Sequence, residues 1–372
     1  MNVFETALSL LDNIASANTY LENIKERYAL KLATLFECII CGNSPYTKHL
    51  ATVLHEKYNC KISIVDIEPD HTIKPVSFLQ TAPKDATYIL ASTVYLGYYS
   101  RLLLDRGIKR MIPYHALPLL DVDFDFSRKA YSAVFFRTGM ESIVKNSIVY
   151  KNLLLSMSDS ESVEIMAKFI CYRLTADYHY ACVPAHKDVY FGHEFLSVSD
   201  HEVVIDGGGF DADTLEAYLK HYKNFDEYWL FEPEAALLEK AKARFTAKNI
   251  HFSNLGLYDK ATTLSFLSNG QGMGRIAASG DLCIQTAKLD DLVDSNVSFM
   301  KLDVEGVELA ALAGAAKHIR THKPKLAISV YHNPEDMLTL STYIRELVPK
   351  YRFYLRCGYD SLYNDLVLFA VV

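Results

Sequence analysis

The chain has 372 residues, half of them hydrophobic, which is more than one domain usually holds and enough for two globular cores. Its net charge of -7, with no block of Lys or Arg, lacks the electrostatic footprint of a nucleic-acid binder. No apolar run approaches the roughly 20 residues that span a bilayer, and the seven scattered cysteines do not make a disulfide framework.

In chain order, the opening "MNVFETALSLLDNIASANTYLENIKERY" reads as one amphipathic helix without the basic start and apolar core of a signal peptide, so a cytoplasmic protein is expected. "LFECIICG", "CKISIVDI", "ATYILAS" and "IKRMIPYHAL" read as short buried strands, with the helices "SPYTKHLATVLHEKY" and "VYLGYYSRLLLDRG" between them. Residues 1–125 are therefore expected to form a Rossmann-like α/β domain with a parallel sheet. Its first strand-to-helix turn carries Gly42 and Pro45 rather than a G-x-G-x-x-G, while Asp66 follows at about the distance of a ribose-binding acid. Cys38 and Cys41 read as strand residues, no second pair or His cluster completes a zinc site, and no metal is assigned. Residues 126–188 carry two helical patterns, "SRKAYSAVFFRTGMESIVKNSIVYKNLL" and "SESVEIMAKFICYRL", and are expected to be a helical connector.

From Glu202 onward strands and helices alternate, which predicts a second parallel sheet over 189–372. The last two strands, "YRFYLR" and "DLVLFAVV", are separated by only "CGYDSLYN", too short for a crossover, so the sheet should end in an antiparallel hairpin. The first turn of this half is "EVVIDGGGFDADTL". Gly207, Gly209 and Ala212 fall on the dinucleotide spacing, and Glu232 at the tip of the next strand suits the hydroxyls of a ribose. The turn is also ringed by Asp206, Asp211 and Asp213. Two unit charges about 4 Å apart cost about 4 kcal/mol at an effective dielectric of 20, which disfavours a pyrophosphate and favours a cationic nucleoside. A nucleoside bearing an ammonium and a sulfonium but no phosphate, S-adenosylmethionine, meets those terms.

The chain from about Val189 to its C-terminus resembles the FkbM family of S-adenosylmethionine-dependent methyltransferases, on "VVIDGGGFDADTL", "LFEPE", "FMKLDVEGVELAALAGA", "KPKLAISVYHNPED" and "YRFYLRCGY". Ala212 departs from the pattern, standing where such loops usually carry glycine. The resemblance implies a class I methyltransferase fold with a seven-stranded sheet. It implies O-methylation of a hydroxyl on a sugar, glycan or secondary metabolite. The cofactor would lie on Asp206, Gly207, Gly208, Gly209, Phe210, Asp211, Thr214, Glu232, Pro233, Asn254 and Gly256.

Methyl transfer depends on placing the acceptor, with a base needed chiefly for a neutral hydroxyl. Asp303, Glu305 and His332 fall at the carboxyl ends of strands and are the catalytic candidates, with His332 read as a proton acceptor near neutral pH. Glu308 is equally readable as a helix cap, and "GQGMGR", Gly270 to Arg275, as a closing segment or a plain loop. The expected partner is a small-molecule or glycan acceptor; homo-oligomerisation stays open. Two rival readings remain at this point: a dinucleotide-dependent oxidoreductase, and a non-catalytic nucleoside-binding module on the same fold.

Overall fold

The structure is a computed structural model that describes residues 2–68, 73–92, 94–124, 132–267, 275–276, 282–362 and 365–372. Two compact units form, one of Met1–His186 with Cys357–Asp365 and the other of Lys187–Arg356 with Leu366–Val372. Among the described residues no helix is long and apolar enough to cross a membrane.

In the first unit, β1 (Glu37–Cys41), β2 (Lys61–Asp66), β3 (Lys74–Pro75), β4 (Thr87–Leu90) and β5 (Met111–Pro113) form one sheet in the order β3-β2-β1-β4-β5. All its neighbouring strands are parallel. The apolar runs "CIIC" and "TYIL" of β1 and β4 are wholly buried, as parallel strands covered on both faces must be. Cys38 and Cys41 lie in that core as strand residues. Helix α3 (Pro45–Tyr58) starts where the Ser44 hydroxyl accepts the Thr47 N–H at 3.2 Å, and stops where Asn59 turns left-handed.

The opening segment forms two helices rather than one, α1 (Val3–Asp12) and α2 (Ala17–Ala33). The break follows from Ser16, which caps the second helix by accepting the Thr19 N–H at 3.2 Å; such a cap requires extended backbone just before it. The buried Tyr28 hydroxyl of α2 donates to the Ala176 carbonyl at 2.7 Å. Helices α4 (Leu96–Asp105) and α5 (Leu117–Leu120) complete the α/β part. The first of the two expected connector helices is in fact two, α6 (Ala133–Lys145) and α7 (Ser147–Leu155), divided at Asn146; α8 (Ser160–Thr175) follows. All three belong to the first unit.

The second unit is built on β6 (Val203–Gly207), β7 (Glu227–Phe231), β8 (Ile250–Ser253), β13 (Phe299–Leu302), β14 (Lys325–Ser329), β15 (Arg352–Cys357) and β16 (Leu366–Val371). They form the expected seven-stranded sheet, in the order β15-β16-β14-β13-β6-β7-β8, with β16 antiparallel to β14 and the strands from β14 to β8 parallel. Helices α9 (Asp213–His221), α10 (Ala235–Arg244), α11 (Glu308–Gly314), α12 (Ala316–His322) and α13 (Asp336–Leu347) lie between strands in the chain. The run "VELAALAGAAKHIR" is thus two helices, not one, broken at Ala315.

One element was not foreseen. Between β8 and β13 the chain adds a four-stranded sheet of β9 (Gly256–Leu257), β10 (Thr262–Leu267), β11 (Arg275–Ile276) and β12 (Leu282–Ala287). β10 pairs antiparallel with both β11 and β12, so "TTLSFL" and "LCIQTA" are strands despite their mixed polar pattern. Residues 270–274 of the glycine-rich segment lie outside the described residues.

Candidate functional site

The glycine turn sits between β6 and α9, at the carboxyl end of a central strand, where open parallel sheets bind ligands. Asp206, fully buried near the end of β6, is flanked in register by Lys301 of β13 on one side and by Leu230 of β7 on the other. Lys301 Nζ lies 3.1 Å from Asp206 Oδ1, and the Tyr228 hydroxyl donates to Oδ2 at 2.8 Å. Burial opposes the charge on Lys301, but Asp206, Asp303 and Asp213 around it raise its pKa. The ammonium also donates to the Gly208 carbonyl at 2.7 Å and to that of Gly207 at 3.3 Å. One buried cation thereby holds both the strand acid and the turn.

The amides of the turn are engaged inside the protein. Gly208 and Gly209 both donate to the Phe231 carbonyl, at 3.0 and 3.1 Å, and Ala212 donates to Gly209 O at 2.8 Å. The Phe210 N–H goes to Glu232 Oε2 at 3.0 Å. At the start of α9, the Asp213 carboxylate accepts the Thr214 N–H at 2.7 Å, filling the place an anion would take. Gly208 has φ +74°, and a Cβ there would lie 1.9 Å from the Asp303 carbonyl oxygen, so the turn requires glycine at this position. Ala212 adopts the left-handed region at φ 70° while fully buried, which explains why glycine is the usual occupant.

The ring of acids is not the free triple charge expected from the sequence. Asp206 is neutralised by Lys301, and Asp211 is paired with Arg244 of α10 at 2.9 Å. Burial raises the Asp213 carboxyl, with Lys301 opposing.

Glu232 follows β7 and is buried. Its Oε1 accepts the Glu234 N–H at 2.8 Å, so the two oxygens are held by two backbone donors. Burial nonetheless pushes its carboxyl up to about 7 from 4.5, the two amides opposing. Asn254 donates to the carbonyls of Glu232 and Pro233 at 2.9 and 3.0 Å and fixes the strand tip. Gly256 is placed in β9, paired with Thr286, while its neighbour Leu257 reaches Gly207.

Asp303, Glu305 and His332 are brought together by the loops after β13 and β14. His332 Nε2 is 3.4 Å from Asp303 Oδ1 and 3.7 Å from Glu305 Oε2. Its Nδ1 lies 2.8 Å from Oε1 of Glu308, a fully buried acid whose Oε1 also accepts the N–H groups of Val304 and Gly306. Burial works against the imidazolium, but Glu308, Asp303 and Glu305 raise it to about 10. These acids favour the imidazolium form of His332 over the free base anticipated from its position. Burial opposes the charge on Asp303 as well, yet its pKa is lowered, because His332 and Lys301 are close and Ser329 and Tyr190 hydrogen-bond it. The Tyr190 hydroxyl donates to Asp303 Oδ2 at 3.0 Å. Ligand atoms of Asp303, Glu308 and His332 all fall within 4.8 Å of one another, a spacing that could hold a metal ion.

Lys301, Tyr190 and Tyr228 were not singled out from sequence. The available signal was a lysine inside the apolar strand "FMKL", which needs a buried acid beside it.

Fold and site together define an open α/β protein whose glycine turn and acid–histidine cluster lie at the carboxyl ends of its parallel strands. Residues 206–361 are similar to the methyltransferase FkbM domain. The crystal structure of a methyltransferase FkbM from Methylobacillus flagellatus KT has a TM-score of 0.71 at 22% identity and covers 99% of this chain and 99% of that one. Both units of the fold therefore have counterparts there. An rRNA methylase from Streptococcus thermophilus reaches a TM-score of 0.32 at 14% identity over 46% of this chain and 87% of its own, too low to support an inference. No curated protein matches the chain.

Two measurements check this site. Lys301→Met leaves Asp206 buried beside only one hydroxyl, and denaturant unfolding should show a loss of about 3–5 kcal/mol; adding Asp206→Asn should recover much of it. For Glu232, the unfolded chain gives up its proton near 4.5 and the folded chain near 7. Ionisation of Glu232 therefore disfavours the folded state as pH rises through that window, by roughly 3 kcal/mol at most. Relative to wild type, Glu232→Gln should gain stability between those two pH values and hold a constant difference above them.

Proposed function

We propose that this chain is an S-adenosylmethionine-dependent O-methyltransferase acting on a hydroxyl of a sugar, glycan or secondary metabolite. The observation that carries the reading is the state of the glycine turn. A pyrophosphate needs free amides at a helix start, and here those of Gly208, Gly209, Phe210 and Ala212 are donated to protein acceptors, with the Asp213 carboxylate at the helix start. The fit is to a nucleoside without phosphate. The turn and Glu232 offer carboxylate and carbonyl acceptors, suited to ribose hydroxyls and an ammonium.

In this reading Glu232 takes the ribose hydroxyls, its oxygens keeping a second lone pair each beyond the amides they accept. Phe210, Pro233 and Asn254 hold that carboxylate's surroundings, and Lys301 with Tyr228 keeps the Asp206 strand end in place. The bound cofactor supplies an electrophilic methyl group on sulfur. The acceptor hydroxyl would be oriented by the carboxylates of Asp303 and Glu305, one of which accepts its hydrogen bond and takes up the single proton it gives up. His332, favoured as the imidazolium, stabilises those carboxylates rather than taking the proton.

Calorimetric titration with S-adenosylmethionine and its demethylated product, with NADH as competitor, checks the reading. Both sulfur nucleosides should bind saturably, and Glu232→Ala should weaken them at least tenfold while NADH does not compete. Binding of NADH alone would make the protein an oxidoreductase and refute the amide argument. Binding unaccompanied by methyl transfer to any hydroxyl acceptor would make it a nucleoside-binding module.

A further inference from the structure

The first unit carries a cavity of about 300 Å³ at the carboxyl ends of β1, β2 and β4. In the strand order β3-β2-β1-β4-β5 the chain runs from β1 outward to one side and then returns to the other, so the crevice between β1 and β4 is the switch point where open α/β sheets bind ligands. Gly42, at φ +120°, lets the loop after β1 touch the loop after β4. A Cβ there would meet Ser92 N at 2.9 Å and the Ala91 carbonyl carbon at 3.0 Å.

The register repeats that of the second unit. Gly42 follows Cys41, which pairs with Val65, and Asp66 comes next; Gly208 follows Gly207, which pairs with Phe231, and Glu232 comes next. The Gly42 N–H donates to Val65 O at 2.9 Å, as the Gly208 N–H does to Phe231 O at 3.0 Å. Asp66 thus stands where Glu232 stands, and it lines the cavity. Its Oδ1 accepts the Glu68 N–H at 3.1 Å, which orients the carboxylate.

The lining sets the ligand's chemistry. Two carboxylates, Asp66 and Glu68, border the cavity, and no Lys, Arg or His is among its described lining residues. The helix start beside it offers little to a phosphate, since Pro45 brings no N–H and the Thr47 N–H is capped by Ser44. The walls also expose Ile67, Tyr95 and Tyr359, each about 40% accessible, and the two tyrosine rings meet edge to face at 6.5 Å. Carboxylates that accept from paired hydroxyls, beside aromatic faces that pack on a ring's C–H groups, suit a neutral cyclic diol.

We propose that this cavity binds a vicinal diol without phosphate, the ribose of a nucleoside or a pyranose ring, with Asp66 accepting from its hydroxyls and Tyr95 and Tyr359 packing against the ring. The inference stands on the first unit alone and is independent of the methyl-transfer reading. The test uses the full chain and saturation-transfer NMR with three probes: uridine, methyl β-D-glucopyranoside and UDP. One neutral probe should bind, and which one tells ribose from pyranose. Asp66→Asn and, separately, Tyr95→Ala should each weaken it at least tenfold with unchanged melting temperature and unchanged S-adenosylmethionine titration. UDP should bind no more tightly than uridine. Absence of binding by both neutral probes, tenfold tighter binding of UDP than of uridine, or unaltered affinity in both variants would overturn the proposal.

Discussion

The second unit depends on one buried charge. Lys301 lies in β13, a central strand of the seven-stranded sheet, with almost none of its side chain exposed, where a lone ammonium would cost several kcal/mol. It is tolerated because three acceptors surround it: Asp206 across the strand pair and the carbonyls of Gly207 and Gly208 in the turn. Those contacts couple the chemistry of the sheet interior to the shape of the glycine turn. A hydrophobic isostere would pack there but would take the ammonium from the Gly208 carbonyl and leave the strand acid with the Tyr228 hydroxyl alone. The turn's conformation is therefore imposed from beneath by an electrostatic constraint, and its glycines permit what that constraint demands.

The turn's electrostatics differ from those the sequence suggested. Counting aspartates gives a strongly negative turn, whereas two of the three acids have cationic partners in Lys301 and Arg244. What disfavours a pyrophosphate is the scarcity of free donors. A turn whose amides point at neighbouring carbonyls and a carboxylate cannot cradle phosphate oxygens, whatever its net charge. The second cluster obeys the same logic of compensation. Glu308, fully buried, draws two backbone amides and His332 to itself, and the resulting imidazolium sits within 4 Å of Asp303 and Glu305. Charge is held in place there.

Much of this architecture was legible because strand-and-helix alternation is a periodic signal. The two parallel sheets and the antiparallel final strand could be read from apolar runs and connection lengths. The sheet of β9 to β12 was missed because β10 and β12 mix polar with apolar residues and β9 and β11 are two residues long. The breaks at Asn146 and Ala315 were missed because a helical period survives a one-residue interruption, and the four-residue break before Ala17 because its residues do not interrupt the amphipathic pattern. The positions of Asp303, Glu305 and His332 could be read from strand ends, but their protonation could not. Histidine's state is set by Glu308, which the sequence offered equally as a cap. Lys301 was readable in principle: once "VVID" and "FMKL" are placed as neighbouring parallel strands, Lys301 and Asp206 fall in register.

The two units solve the same backbone problem twice. Where a central strand turns into a helix, the first residue past the strand must continue the ladder on one side while passing a loop on the other. In both units a glycine with positive φ does this, donating to the neighbouring strand at 2.9 Å for Gly42 and 3.0 Å for Gly208. Its missing side chain makes room for the loop after the next strand over: Ser92 in one case, Asp303 in the other. Because the ladder uses that amide, neither glycine is available to a phosphate. The acid one register step beyond, Asp66 or Glu232, is then the polar group that the geometry places at the carboxyl end of each sheet. A glycine turn followed by an acid is thus no sufficient sign of a dinucleotide. The amide's destination, a strand carbonyl or open space, decides whether the turn can receive an anion.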